Sequence, residues 1–104
     1  MLERRKIATL EVIKEIEEEF LLEEGDILFK EEFEHLSSKE RLIAINIAKG
    51  RHTPKEIANA ARDKISNVNR FLLYLEEKGY VLKKEKGYYT MEDPVFERWL
   101  RDRL

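Results

Sequence analysis

Residues 36 to 93 are cut into short pieces by residues that start and stop helices, and this punctuation limits the fold more than anything else in the chain. Ser37 precedes Glu40 by three positions, the spacing of a capping box. A helix is expected over Ser37–Lys49, with Leu42, Ile43, Ile45 and Ile47 on its buried side. Gly50 then stands where a helix ends in left-handed backbone. Thr53 as N-cap, Pro54 at the first helical position and Glu56 two residues on open the next helix, Thr53–Ala61. Its small Ala58 and Ala61 permit a close helix–helix corner. Arg62 to Ile65 make a turn, Ser66 is the expected N-cap of a third helix running to Lys78, and Gly79 ends it.

Ile65, Val68, Leu72 and Leu75, joined by Phe71, share one face of that third helix. Asn67, Asn69, Arg70, Tyr74 and Glu77 lie opposite, and Leu73 also points away from the apolar stripe. Two strands are expected next, Tyr80–Lys84 and Tyr88–Met91, with Gly87 in the left-handed position of the hairpin loop. Asp93-Pro94 caps a final helix, Val95–Arg103, whose apolar edge is Phe96, Trp99 and Leu100. Three helices followed by a lysine-rich hairpin is the order of a winged helix-turn-helix. The expected fold class is therefore α+β, mostly α: a winged helix-turn-helix with an extra N-terminal helix and a C-terminal helix.

The two ends of the chain differ in charge. Residues 1–35 hold 5 basic and 12 acidic side chains, whereas residues 36–104 hold 15 basic and 10 acidic ones. This divides the chain into an acidic N-terminal helix and linker, 1–35, and a winged-helix domain with its C-terminal helix, 36–104. A helix is expected over residues 3–22, with Ile7, Leu10, Val12, Ile16, Phe20 and Leu21 forming a broad apolar stripe. Glu23-Glu24-Gly25-Asp26 reads as its stop. Beyond it, Ile27, Leu28, Phe29 and Phe33 fit either a short helix or a loop.

No apolar run approaches the ~20 residues of a membrane span. Arg4, Arg5, Lys6 and Glu11 interrupt any secretory core at the N-terminus. The expectation is a cytoplasmic protein without membrane contact. The chain has no cysteine, and His35 and His52 alone do not make a metal site. Ser37, Ser38 and Ser66 are better explained as caps than as nucleophiles. The many carboxylates read as solvated helix faces, with no pair set up for acid–base work. Neither enzyme activity nor a cofactor is expected.

Several stretches resemble a known family. They are Leu36-Ser37-Ser38-Lys39-Glu40-Arg41, Ile47-Ala48-Lys49-Gly50 and Thr53-Pro54-Lys55-Glu56-Ile57-Ala58. Leu75-Glu76-Glu77-Lys78-Gly79-Tyr80-Val81, Tyr89-Thr90-Met91-Glu92-Asp93-Pro94-Val95-Phe96 and Trp99-Leu100-Arg101 continue the pattern. Together they resemble the winged-helix domain that ends many archaeal P-loop ATPases of the AAA/STAND-like type. The Leu-Glu-x-x-Gly-x-Val portion is common to winged helices; the tail from Tyr89 to Trp99 is more discriminating. The chain departs from the family in having no Gly-x-x-x-x-Gly-Lys-Ser/Thr, so no phosphate-cradling loop. The resemblance implies either a piece of a larger ATPase or a stand-alone relative. It also implies a P-loop ATPase domain as a partner for residues 7–21. Arg51, His52 and Arg62 are the candidates for nucleotide sensing in that setting, with no motif choosing among them.

Double-stranded DNA is the first expected partner. The N-terminal part of a recognition helix approaches base edges in the major groove. Here that part carries Ser66, Asn67, Asn69 and Arg70, and Asn and Arg are the side chains that pair with adenine and guanine in bidentate fashion. Lys64 before the helix and Lys83, Lys84 and Lys86 in the wing are candidates for phosphate contacts, and Tyr74 for stacking on a sugar. From Thr53 to Met91 there are 8 basic and 5 acidic residues, a modest positive excess. Glu76, Glu77 and Glu85 oppose it. The competing expectation is a protein-interaction or regulatory domain without DNA contact, for which an exposed apolar spot at Leu73 and Tyr74 would speak. The terminal helices are the candidate surfaces for a homodimer.

Overall fold

The structure is a computed structural model and describes residues 24–104. The helix expected over residues 3–22 lies outside the described residues. The chain forms two units, one ending at Glu32 and the other spanning Phe33–Leu104. Five α-helices and one two-stranded antiparallel sheet are present among the described residues: α1 Glu24–Glu34, α2 Ser38–Ala48, α3 Pro54–Ala61, α4 Ile65–Glu77, β1 Val81–Lys84, β2 Tyr88–Met91 and α5 Pro94–Arg103. The protein is thus a small, mostly helical α+β fold whose element order is compatible with a winged helix.

Most of the local signals act where they stand. Ser37 Oγ accepts the Glu40 N–H while Glu40 Oε1 accepts the Ser37 N–H, a complete capping box on α2. Thr53 caps α3 with Pro54 in its first turn, and Asp93 accepts the N–H groups of Val95 and Phe96 at the start of α5. Gly50 and Gly79 have positive φ at the ends of α2 and α4, and Gly87 has it in the hairpin turn.

Gly25 and Asp26 stand in the first turn of α1, and the helix they were read as ending lies outside the described residues. Two expectations fail. Leu42 and Ile65, read as core, are exposed, and Ile45 is only half-buried. The α2 stripe that faces inward is instead Ile43, Ala44, Ile47 and Ala48. A helix has one inward stripe, and α2 spends it on α3, α4, α5 and β2 together, which leaves Leu42 on the rim. Ser66 is not a cap: α4 begins at Ile65 with Lys64 as N-cap, placing Ser66 inside the first turn with its side chain exposed.

In the second unit the core gathers Ile57 and Ala58 of α3, Val68, Leu72 and Leu75 of α4, Val81 and Met91 of the hairpin, and Phe96, Trp99 and Leu100 of α5 around α2. Phe96 stacks on Trp99 at 5.9 Å, and Trp99 meets the Phe33 ring edge-on at 6.0 Å. This aromatic pair is therefore part of the chain's own core. Arg41 donates to the backbone carbonyls of Phe33 and Glu34, satisfying the C-terminal end of α1. The hairpin pairs Val81 with Met91 and Lys84 with Tyr88. It packs through β1 on α4 and through β2 on α2 and α5.

Candidate nucleic-acid interface

The corner between α3 and α4 is organised by Asp63. Arg62 ends α3 in left-handed backbone at φ 54°, doing what glycines do at the ends of α2 and α4. The chain then turns so that Asp63 collects three donors. Lys39 Nζ of α2 lies 2.8 Å from Oδ2, and Oδ1 accepts the Lys64 N–H at 2.7 Å and Asn67 Nδ2 at 3.1 Å. The Lys39 bond first, then those from Asn67 and the Lys64 N–H, hold its carboxyl well below the usual value, at about 2. A carboxylate beside a helix N-terminus is favoured by the exposed N–H groups there. Asp63 does not replace the cap read onto Ser66, since no side chain bonds a backbone N–H of the first turn of α4; it fastens the Lys64 N–H just before the helix and the Asn67 side chain within it.

The exposed surface of α4 carries Ser66, Asn69, Arg70, Leu73 and Tyr74. Leu73 is 50% and Tyr74 40% exposed, as the stripe reading required. Tyr74 stands edge-on to Phe71, with ring centroids 5.7 Å apart. Arg70 lies over the ring of the same residue, its guanidinium carbon 5.1 Å from the Phe71 centroid. Asn67 is different: it is half-buried, and its amide nitrogen is already given to Asp63.

Lys83, Lys84 and Lys86 are all exposed on the hairpin, but they do not form one group. Successive strand residues project to opposite faces. Lys84 lies with Lys86, Thr53, Glu85 and Tyr88 around one open concavity, and Lys83 projects from the other face. Lys86 at the turn has a left-handed backbone, φ 57°.

His52 anchors this hairpin. Its carbonyl accepts the Tyr89 N–H at 2.7 Å. Its ring Nδ1 lies 2.8 Å from the Tyr89 carbonyl, which can only accept, so Nδ1 carries the proton. The imidazole also stacks on Tyr88, with centroids 4.5 Å apart and planes 24° apart. The loop before α3 is thereby tied to β2 on the Lys84 side of the hairpin. Arg51, exposed, donates to Asn46 Oδ1 and is thereby tied to α2.

Pairing of the basic side chains sorts them by place. From Phe33 onward, Lys39, Arg41, Lys49, Arg51, Arg70, Lys78, Arg98 and Arg101 all have hydrogen-bond or ion-pair partners. Lys55, Arg62, Lys64, Lys83, Lys84 and Lys86 make no ion pair or side-chain hydrogen bond among the described residues. These six lie on α3, the α3–α4 turn and the hairpin. Lys55 and Arg62 were not among the sequence candidates for DNA contact; Arg62 was considered only for nucleotide sensing. Each nonetheless carries a local cost: Lys55 puts a positive charge in the first turn of α3, and Arg62 sits where glycine is preferred.

Among the described residues no group of three or more His, Asp or Glu is arranged to hold a metal, and no helix is long and apolar enough to cross a membrane. No protein-family model matches the chain, and no curated protein or solved structure does either.

Proposed function

We propose that this chain is a winged-helix module that binds double-stranded DNA, with α4 as recognition helix and the β1–β2 hairpin as wing. The observation that carries this reading is the sorting of cations. From Phe33 onward, the cations away from the α3–α4–hairpin surface have internal partners, and the six without partners are on it. An unpaired ammonium or guanidinium is ready to replace a condensed counterion on a phosphate. Lys55, Arg62 and Lys64 bracket the corner, and Lys84 and Lys86 share the concavity beside Tyr88. Asn69 and Arg70 are the exposed base-reading candidates of α4.

The test is fluorescence anisotropy of a labelled duplex titrated with the full chain over a range of salt. Four or five phosphate contacts predict a log–log slope of about −3 to −5. Absence of binding at ~50 mM monovalent salt would refute the reading.

A second reading is favoured by one observation: Ile65, Leu73 and Tyr74 are exposed apolar side chains on the same helix, at 47%, 50% and 40%. In this reading α4 docks on a protein, and the resemblance to ATPase winged helices would make that partner a P-loop nucleotide domain. The same anisotropy experiment separates the two, since a protein-docking domain has no reason to follow the counterion slope.

A further inference from the structure

The side chains of α4 nearest its start are joined in a chain that ends at Arg70. Lys39 Nζ bonds Asp63 Oδ2 at 2.8 Å, Asp63 Oδ1 receives Asn67 Nδ2 at 3.1 Å, and Asn67 Oδ1 receives Arg70 Nη2 at 3.4 Å. The Arg70 guanidinium also lies over the Phe71 ring. Each link is polarised in one direction. Lys39 keeps Asp63 ionised, the ionised carboxylate can only accept, and so the Asn67 amide must turn its nitrogen toward Asp63. That orientation leaves the Asn67 oxygen facing Arg70. A flipped amide would set an oxygen against the carboxylate and a nitrogen against the guanidinium, two repulsions in place of two bonds.

We infer that Asn67 is a positioning residue and not a base reader, and that Asp63 acts through it to preset the Arg70 guanidinium for contact with a base. The inference rests on the DNA reading and deepens it by naming how specificity is built. Reading adenine in bidentate fashion needs both the nitrogen and the oxygen of an asparagine amide, and both polar atoms of Asn67 are engaged. Asn69, exposed on the adjacent stripe, keeps its amide available. Arg70 has an acceptor on one guanidinium nitrogen and a ring against one face, so fewer rotamers are lost when it meets a guanine. Asn67 thus governs Arg70 without touching DNA.

The test has two arms, both on the full chain. In the first, ¹⁵N relaxation of the Arg70 Nε–H is measured without DNA. Asn67→Ala and Asp63→Ala raise its mobility, whereas Asp63→Asn, which keeps an acceptor for Asn67, restores much of the order. In the second, affinity is measured for a duplex selected from a random pool and for a scrambled duplex. Asn67→Ala lowers affinity for the selected duplex by about three- to tenfold and leaves the scrambled duplex and the salt slope unchanged. In an Arg70→Ala background the same substitution has no further effect. An equal loss in that background would make Asn67 an independent reader and overturn the inference. So would an Arg70 Nε–H that stays equally ordered in Asn67→Ala, whether or not DNA is bound. A wild-type chain that binds no duplex overturns the DNA reading itself, independently of the relaxation result.

Discussion

Glu40 offers the sharpest test of how the fold is held. It is 2% exposed, although it is charged, and three hydrogen bonds account for it. Oε1 accepts the Ser37 N–H at 2.9 Å, and Lys78 Nζ lies 3.0 Å from Oε1 and 2.9 Å from Oε2. The pair fastens the start of α2 to the end of α4, 38 residues apart. Glu40→Ala removes the charge-assisted bonds and half of the capping box. Lys78 is 47% exposed in its side chain and recovers water. The Ser37 N–H is part-buried and recovers it only in part. Charge-assisted bonds contribute about 1.5–3 kcal/mol and a cap about 1 kcal/mol, so the expected loss is about 2–4 kcal/mol. At roughly 4–8 °C per kcal/mol for a domain of this size, Tm should fall by about 10–20 °C. Urea denaturation at pH 7 measures the loss directly. Glu40→Gln keeps an acceptor for Ser37 but not the charge, and should lose less.

The pH dependence supplies a second readout of the same pair. Burial raises the Glu40 pKa, but the Lys78 bond, the Ser37 N–H and the Ser37 hydroxyl together outweigh it, and the net shift is downward. A depressed carboxylate stabilises the fold fully above its unfolded pKa, and that stability is lost as pH falls through the folded value. The gap between wild type and Glu40→Gln should therefore be widest near neutrality and should close below the ordinary glutamate range. A Glu40→Ala chain within about 0.5 kcal/mol of wild type at pH 7, the scatter of an ordinary surface substitution, would refute the reasoning. So would a Glu40→Gln gap that does not close in acid.

Arg62→Gly and Lys86→Gly relieve left-handed backbone and should each raise stability by about 0.5–1 kcal/mol while weakening duplex binding; thermal melts and anisotropy on the same samples would show both. His52→Ala removes the Nδ1 bond and the Tyr88 stack, and should cost about 1 kcal/mol and lower amide-exchange protection at Tyr89. Arg70→Ala should weaken a preferred duplex by about 1–3 kcal/mol and relax its specificity. Lys84→Ala should instead weaken all duplexes alike and reduce the salt slope by about one unit.

What could be read in advance was what is decided within a few residues. Ser37, Thr53, Asp93, Gly50 and Gly79 act on neighbours two or three positions away, and the hydrogen bonds found at each are local ones. What could not be read was decided at a distance. Ser66 is a sound N-cap residue in isolation, but α4 starts two positions earlier, from Lys64, whose N–H is held by Asp63, a carboxylate itself fixed by Lys39 24 positions before it. The structural role of His52 could not be seen because Tyr88 and Tyr89, its partners, lie in another element. Leu42 and Ile65 match helical periodicity, yet periodicity does not say how wide the covered stripe is. The grouping of the candidate residues was not visible in the sequence: strand alternation sets Lys83 on the face opposite Lys84, and Asp63 engages the Asn67 amide nitrogen.

The same distinction makes the proposed DNA-binding surface compatible with a chain whose net charge is −2. Net charge sums side chains that cancel one another in pairs with those that do not. Lys39 with Asp63, Lys78 with Glu40, and Arg98 and Arg101 with the α5 carboxylates contribute little field beyond their partners. The six cations without partners keep theirs, and at physiological salt a field reaches only about 8 Å, so local arrangement outweighs the total. Two of those six, Arg62 and Lys86, are also the only non-glycine residues with positive φ among the described residues. Glycine or asparagine would fit both turns with less strain. A fold selected for stability alone has no reason to put its unpaired cations there, whereas a surface that must meet phosphates at its two turns does.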